Sequence, residues 1–243
     1  MIGLGTLANA GAIVVGGICG LLFGKAIKDR MQKTLVAGMA LGTMFIGAGT
    51  MFAKMLATGG DGGFRTHGEL MLVLSLAGGA ILGEWLDLDR RFEAFGVWLR
   101  RVSRNERDGS FVDAFVTASL TFCIGAMAIV GSIADGVQGD PSILYLKAVM
   151  DGIFTIVLTA SLGKGACFSA IPILLYQGGI TLGARFLKPY LTAAAMDNLS
   201  LVGGVLIFCV GWNILWNEKK IRTANLLPAL VIAVAWGIFR PGP

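Results

Sequence analysis

Long apolar segments, separated by short polar or glycine-containing stretches, dominate this chain. A helix needs about 20 mostly apolar residues to cross the hydrocarbon core of a bilayer. Eight segments approach that length, and they cover residues 2–24, 34–56, 69–86, 112–134, 142–162, 166–187, 198–216 and 224–240. The last is the shortest and lies at the lower limit for a span. The pattern predicts an all-α fold, a polytopic transmembrane helical bundle of seven or eight spans that forms one integral membrane domain over residues 1–243.

A different pattern occupies the stretch between the third and fourth predicted spans. Apolar residues recur there at helical spacing, and arginines cover the other face. The apolar residues are Phe92, Phe95, Trp98, Leu99 and Val102. Such a helix lies in the headgroup region of a membrane, so we predict an interfacial amphipathic helix over about residues 90–104. A helix that docks a partner would show the same pattern.

The composition excludes an ordinary soluble domain. Hydrophobic residues make up 55% of the chain and charged residues only 14%, whereas a soluble domain carries about 25% charged residues. The net charge of +5 does not indicate a nucleic-acid partner, because the basic residues cluster between the apolar segments. That placement is typical of positively charged cytoplasmic loops. We therefore expect a lipid bilayer, and no nucleic acid, as the partner of this chain.

The distribution of Lys and Arg predicts the orientation. If the N-terminus lies outside, the inner loops hold fourteen of these residues and the outer side holds five, as the positive-inside rule requires. No positive residue precedes the first apolar segment, so we expect that segment to remain in the mature protein. Arg185 and Lys188 oppose this orientation locally, and a re-entrant pair formed by the fifth and sixth segments would accommodate them.

Three pairs of predicted helices resemble one another weakly. In each pair, the first helix contains two consecutive glycines (a Gly-Gly helix), and the second contains a short apolar motif that ends in glycine. The pairs are Gly16-Gly17 with Met44-Phe45-Ile46-Gly47, Gly78-Gly79 with Phe122-Cys123-Ile124-Gly125, and Gly178-Gly179 with Phe208-Cys209-Val210-Gly211. One interpretation is a duplicated helix hairpin whose third copy is inverted, as in many transporters with a midplane site. The other is chance similarity among Gly-rich apolar segments.

Two charged residues inside the fifth span are the strongest candidates for function. Lys147 and Asp151 are four residues apart, so they share a helix face and can meet. A charge at this depth must pair, face water or become neutral. Asp151 could exchange a proton, bind a cation or hold Lys147. The alternative is a static ion pair that fixes the packing of the helices.

Further polar side chains in predicted spans extend the candidate substrate-binding or ion-binding set to Asn9, Ser119, Gln177 and Asn213. The amides of Gln177 and Asn213 carry more donors and acceptors to satisfy in lipid than a hydroxyl does. Serine usually bonds to its own backbone or to a neighbouring helix, which is the alternative for Ser119.

Catalytic and metal-binding patterns are not evident. The four cysteines all lie in apolar segments without a CxxC pair, and the single histidine, His67, lies in a predicted loop. We therefore expect no cofactor, no metal site and no enzymatic activity.

Several motifs together resemble one known family. They are Gly5-Thr6-Leu7-Ala8-Asn9-Ala10, the stretch Phe115 to Gly125, Gly131-Ser132, Lys147 with Asp151-Gly152, Ser161-Leu162-Gly163, Phe168-Ser169-Ala170, Tyr176-Gln177-Gly178 and Leu226-Leu227-Pro228-Ala229. Over nearly its whole length the chain resembles the YqgA/YdfK-type bacterial inner-membrane proteins, whose function is unknown. The resemblance implies a multi-pass protein of the bacterial inner membrane and supplies no activity, substrate or site residue.

The polar residues inside the spans favour a secondary transporter for a small polar or charged solute, coupled to a proton or cation. An ion or small-solute channel would use similar residues, and a scaffold or sensor subunit would have a packed interior. A homo-oligomer is compatible with small-residue faces such as Gly38-x-x-x-Gly42, although these glycines could equally pack within one chain.

Overall fold

The computed structural model describes residues 2–24, 29–58, 63–105, 109–124, 126–187, 190, 192–216 and 220–239. Ten α-helices account for most of these residues. They are α1 (Leu4–Gly24), α2 (Asp29–Met55), α3 (Glu69–Leu86), α4 (Leu88–Val102), α5 (Phe111–Cys123), α6 (Ala126–Gln138), α7 (Ser142–Leu162), α8 (Ala170–Leu187), α9 (Ala193–Leu215) and α10 (Pro228–Phe239). Short 3₁₀ helices precede α8 and α10, at Lys164–Ser169 and Thr223–Leu226. The predicted all-α polytopic helical bundle is confirmed.

The count of candidate spans is below the eight predicted segments, and its upper value equals the lower of the two predicted numbers, seven. Six helical segments in the described ranges are long and apolar enough to cross a membrane, or seven if one bent pair counts as a single span. That pair is α5 and α6, whose axes differ by 61°, where the sequence predicted one continuous span over 112–134. The twelve-residue α10 is about 18 Å long, well short of the roughly 30 Å hydrocarbon core.

The fifth and sixth predicted segments, for which we considered a re-entrant pair, are each long enough to span. They correspond to Ser142–Leu162 and to Lys164–Ala184, which joins the first 3₁₀ helix to most of α8. The break that does occur lies one segment earlier, between α5 and α6. A pair bent in this way is either a broken span or a re-entrant loop.

The chain divides into two compact units. Unit 1 contains Met1–Met39 and Arg90–Lys188, and unit 2 contains Ala40–Asp89 and Pro189–Pro243. In unit 1, α1 packs along α7 in parallel, since Gly5 lies against Leu144 and Gly20 lies against Thr159. The absence of side chains on these glycines lets the two helix backbones approach closely.

The same local arrangement occurs within each unit. In unit 1, the Gly-Gly helix α1 runs antiparallel to the 3₁₀ helix and α8, and Gly17 contacts Cys167. In unit 2, the Gly-Gly helix α3 runs antiparallel to the 3₁₀ helix and α10, and Gly83 contacts Asn225. The third predicted copy differs, because no described atom lies within 4 Å of the position where Gly178 or Gly179 would carry a Cβ. The inverted repeat stays a prediction.

The predicted amphipathic helix over 90–104 corresponds to α4. Phe95 and Leu99 pack against Phe111 and Phe115 at the start of α5, so part of the apolar face is covered by protein. Trp98 and Val102 remain exposed. Its position in the headgroup region stays a prediction.

A short antiparallel hairpin follows α2, in the stretch between the second and third predicted spans where the sequence predicted a glycine-rich loop. Leu56–Thr58 (β1) pairs with Phe64–Thr66 (β2). The single histidine, His67, comes directly after it, and its Nδ1 lies 2.9 Å from the carbonyl oxygen of Met55. Three of the loop glycines, Gly59, Gly60 and Gly62, lie outside the described residues.

Candidate functional site

The centre of the candidate site is an ion pair on α7. Lys147 and Asp151 lie one helical turn apart, and the Lys147 ammonium donates to Oδ2 of Asp151. Both residues are only 7% exposed, so they face the interior of unit 1 and not the surrounding lipid. Asp151 lies at the middle of the helix that runs from Ser142 to Leu162. A charge pair inside a membrane-spanning helix is costly to maintain, and such residues therefore often mark a functional site.

Two other helices contribute amides to the same carboxylate. On α1, Nδ2 of Asn9 donates to Oδ2 of Asp151 at 3.0 Å and to Oε1 of Gln177 at 3.2 Å. Gln177 belongs to α8. One turn further along this antiparallel pair, the hydroxyls of Thr6 and Thr181 lie 3.3 Å apart. A polar network therefore joins α1, α7 and α8 inside unit 1.

Several buried hydrogen-bonding atoms in unit 1, two of them in this network, have no partner among the residues described. They include Oδ1 of Asn9, Nε2 of Gln177 and the hydroxyl of Ser119 on α5. All three side chains are fully buried. Buried polar groups in native proteins are nearly always hydrogen-bonded, so each of these atoms is free to bind a water, an ion or a ligand. The three atoms together offer one acceptor, one donor and one hydroxyl.

The break between α5 and α6 lies beside the ion pair. The Lys147 ammonium is 5.7 Å from the centre of the Phe122 ring, and α5 ends at the next residue, Cys123. The last turn of a helix has carbonyl groups without intrahelical partners and a partial negative charge. Discontinuous helices of this kind form ion and substrate sites in many transporters.

Four of the six residues in the predicted set, Asn9, Lys147, Asp151 and Gln177, contact one another in unit 1. Ser119 lies on α5 of the same unit, and Asn213 has a different role in unit 2. Nδ2 of Asn213 donates to the Ile221 carbonyl at 2.7 Å and to the Thr223 hydroxyl at 3.1 Å, while its Oδ1 accepts from the Ile221 amide. The Asn213 amide thus holds the chain segment that leads from α9 to α10. These bonds use both ends of the amide.

Asp135 is a buried polar residue that sequence reasoning missed. Its carboxylate accepts from the backbone amides of Gly3 at 3.2 Å and Gly5 at 3.1 Å, at the start of α1. These amides would otherwise lack partners, because the first turn of a helix has no internal acceptor. The available signal was an acidic residue directly after an apolar segment, one residue beyond the predicted end of the fourth span.

We expect Asp135→Ala to lower the free energy of unfolding by about 1–2 kcal/mol, since it removes a charged cap from the α1 N-terminus. Reversible unfolding in mixed micelles would measure the change. The matched control is Asp140→Ala. The Asp140 carboxylate also accepts from a backbone amide at the start of a helix, that of Ser142 in α7 at 3.0 Å, but it is exposed. Equal losses for the two variants would contradict a special role for Asp135.

No metal site emerges from the described residues, which contain no group of three or more His, Cys, Asp or Glu side chains able to hold a metal ion. The four cysteines are free thiols. Three of them, Cys19, Cys123 and Cys167, are partly buried, and Cys209 is buried.

Comparison with known proteins identifies relatives of nearly full length. A family model described as "Protein of unknown function (DUF554)" matches residues 4–238. The chain is 31% identical to the "Uncharacterized membrane protein YdfK" of Bacillus subtilis (strain 168), over 94% of this chain and 93% of the relative. It is 27% identical to the "Uncharacterized protein YqgA" of Escherichia coli (strain K12), over 95% and 94% of the two chains. No solved structure matches.

Proposed function

The chain belongs to the DUF554 family of membrane proteins of unknown function, and we propose that it is a secondary transporter of a small polar or charged solute. The observation that carries this proposal is the buried network of Asn9, Lys147, Asp151 and Gln177 with its unpartnered atoms. A network that served only to fix helix packing would be expected to satisfy its own donors and acceptors. Unsatisfied atoms in a buried ion-pair site are instead what a binding site provides to its ligand.

Asp151 and Lys147 have complementary roles in the proposed mechanism. Asp151 takes up a proton or a cation that drives transport, and Lys147 holds an anionic group of the solute or acts as the counter-ion of Asp151. Asn9 and Gln177 connect α1 and α8 to this pair, so a change at the ion pair is transmitted to both helices. The bend after Cys123 gives α5 and α6 a place to move relative to α7.

The distribution of charge within unit 1 supports an N-terminus outside the bacterial inner membrane. Since α1 and α7 are parallel, their C-terminal ends lie at the same end of this unit. Lys164 follows α7, and its ammonium lies 3.3 Å from Oδ1 of Asn105, which follows the arginine-rich α4. Lys164 and the arginine-rich stretch of α4, both of which the orientation places inside, therefore lie at the same end of the unit. We take that end to be cytoplasmic.

Thermal stability in the presence of a solute library tests the proposal. The purified protein would be heated with inorganic ions, amino acids, organic acids and polyamines, together with the Asp151→Asn variant. A ligand present at 100 times its dissociation constant adds about 2.7 kcal/mol to the stability of the folded state. We expect at least one solute to stabilise the wild-type protein and to lose its effect in Asp151→Asn.

The matched control is Asp197→Asn. Asp197 also pairs with a lysine, Lys54, at 2.6 Å, but the two side chains are 52% and 41% exposed. This variant should keep the response to the solute. If no compound stabilises the wild-type protein while Asp151→Asn folds equally well, the proposal is wrong and a scaffold becomes the better explanation.

We propose transport and not catalysis, because the site combines an ion pair and two amides without an adjacent histidine as a general base among the residues described. A homo-oligomer remains a separate prediction. In α2, no described atom lies within 4 Å of where Gly38 or Gly42 would carry a Cβ. Crosslinking in native membranes would test whether a second copy packs there.

A further inference from the structure

The charges and free atoms of the buried network point to one class of ligand. We propose that the site binds a zwitterion that carries both an ammonium and a carboxylate, as an amino acid does. This inference rests on the proposed function and specifies the solute class of the same site. The ammonium would bind Asp151 and Oδ1 of Asn9, and the carboxylate would bind Lys147 and Nε2 of Gln177.

Charge balance is the first argument. Lys147 and Asp151 compensate each other, and both are almost completely buried. A ligand with a net charge would leave one uncompensated charge in this environment, which is unfavourable in a medium of low dielectric constant. A zwitterion can separate the pair and supply an opposite charge to each member. The total charge of the occupied site then remains the same as that of the empty one.

The free hydrogen-bonding atoms supply the second argument. Asn9 uses its Nδ2 for Asp151 and Gln177, so its acceptor oxygen remains, while Gln177 uses its oxygen and its donor Nε2 remains. An ammonium only donates and a carboxylate only accepts. Each free end therefore matches one charged group of the zwitterion. The free acceptor, Oδ1 of Asn9, belongs to the side chain that contacts Asp151. An ammonium bound to the Asp151 carboxylate would therefore find this second acceptor nearby.

Ligands with a single charge fit these atoms less well. A hard divalent cation such as Ca²⁺ or Mg²⁺ prefers a shell of six or more oxygen ligands, whereas here the Lys147 ammonium already occupies Oδ2 of Asp151. A simple anion would bind Lys147 but would lie next to the Asp151 carboxylate. Each of these ligands meets one attractive and one repulsive charge, whereas the zwitterion meets two attractive ones.

Binding measurements with amino acids and their singly charged counterparts test the inference. The full-length protein in lipid nanodiscs would be screened against the twenty common L-amino acids by thermal shift and calorimetry. For each that binds, the decarboxylated amine and the deaminated acid would follow. We expect at least one amino acid to bind, and both counterparts to bind about 100-fold more weakly or not at all, because each leaves a buried charge unpaired.

Variants connect this selectivity to the network. Gln177→Leu removes the donor assigned to the carboxylate, so it should weaken the binding of the amino acid by about tenfold or more while changing that of the decarboxylated amine little. The matched control is Gln138→Leu, at the exposed end of α6, which should change neither. If Gln177→Leu weakens the binding of the amino acid and of the amine equally, Nε2 of Gln177 does not bind the carboxylate.

The outcomes separate this inference from the proposed function. If an amine, an organic acid or an inorganic ion binds as tightly as any amino acid, and Asp151→Asn abolishes that binding, the zwitterion is wrong and the transporter proposal stands. If none of the probes binds, both are wrong. If amino acids bind equally to wild-type protein and Asp151→Asn, the ligand site lies elsewhere, and the inference is again overturned.

Discussion

Lys147→Met alone is expected to lower the free energy of unfolding by about 3–5 kcal/mol, because it leaves the buried Asp151 carboxylate without its charged partner. Adding Asp151→Leu removes the unpaired charge, and the double variant should recover most of the lost stability. A buried ion pair replaced by apolar side chains of similar size is often neutral for stability, or even stabilising. Unfolding by titration with a denaturing detergent would measure all three proteins.

The double variant also separates the two explanations of the ion pair. If Lys147 and Asp151 only fix helix packing, the restored protein should keep any response to solutes. If they form the binding site, it should fold and lose that response completely. Lys54→Met is the matched control, because its partner Asp197 is exposed and such pairs contribute about 0–1 kcal/mol. A double variant as unstable as Lys147→Met would contradict this account of the energetics.

The parts of the fold and site that could be predicted are those that depend on local sequence. The boundaries of α1, α3 and α7 agree with the predicted segments within two residues at each end, because apolar length alone determines them. The contact between Lys147 and Asp151 also follows from spacing, since residues four apart lie on one helix face. Neither conclusion needs knowledge of how the helices pack.

The cross-helix contacts could not be predicted in the same way. Gln177 and Asn213 carried the same signal, an amide within an apolar segment, yet one joins the network in unit 1 and the other holds a loop in unit 2. Polarity indicates that a side chain must find partners but not which ones. The partners depend on which helices pack together, and the local sequence around each amide does not contain that information.

Three local features were missed for different reasons. The bend between α5 and α6 leaves no distinctive pattern, because glycine and β-branched residues are as common in continuous spans of this chain as at the break. The strands Leu56–Thr58 and Phe64–Thr66 have three residues each, which is too short for an alternating pattern to be recognised. Asp135 was missed because its partners are backbone amides, which no side-chain motif reveals.

Gly16→Ala is expected to destabilise the protein by about 1–3 kcal/mol, and Gly11→Ala on the same helix should have little effect. A Cβ at Gly16 would lie 2.4 Å from the carbonyl oxygen of Gly152 on α7. That oxygen is part of a helix backbone, so it cannot move aside as a flexible side chain would, and overpacking of this kind costs about 1–3 kcal/mol. At Gly11 no described atom lies within 4 Å, and alanine favours the helix slightly.

The same substitution should also affect the candidate site, because Gly16 contacts the residue next to Asp151. Asn9 lies two helical turns before Gly16 on the same face of α1, and its 3.0 Å bond to Asp151 depends on the close approach of α1 and α7. Moving the helices apart by even 1 Å would lengthen that bond beyond the usual limit. Gly16→Ala should therefore weaken solute stabilisation as well as folding, whereas Gly11→Ala should preserve both. If Gly16→Ala lowers stability but leaves solute binding unchanged, Asn9 does not contribute to binding through its contact with Asp151.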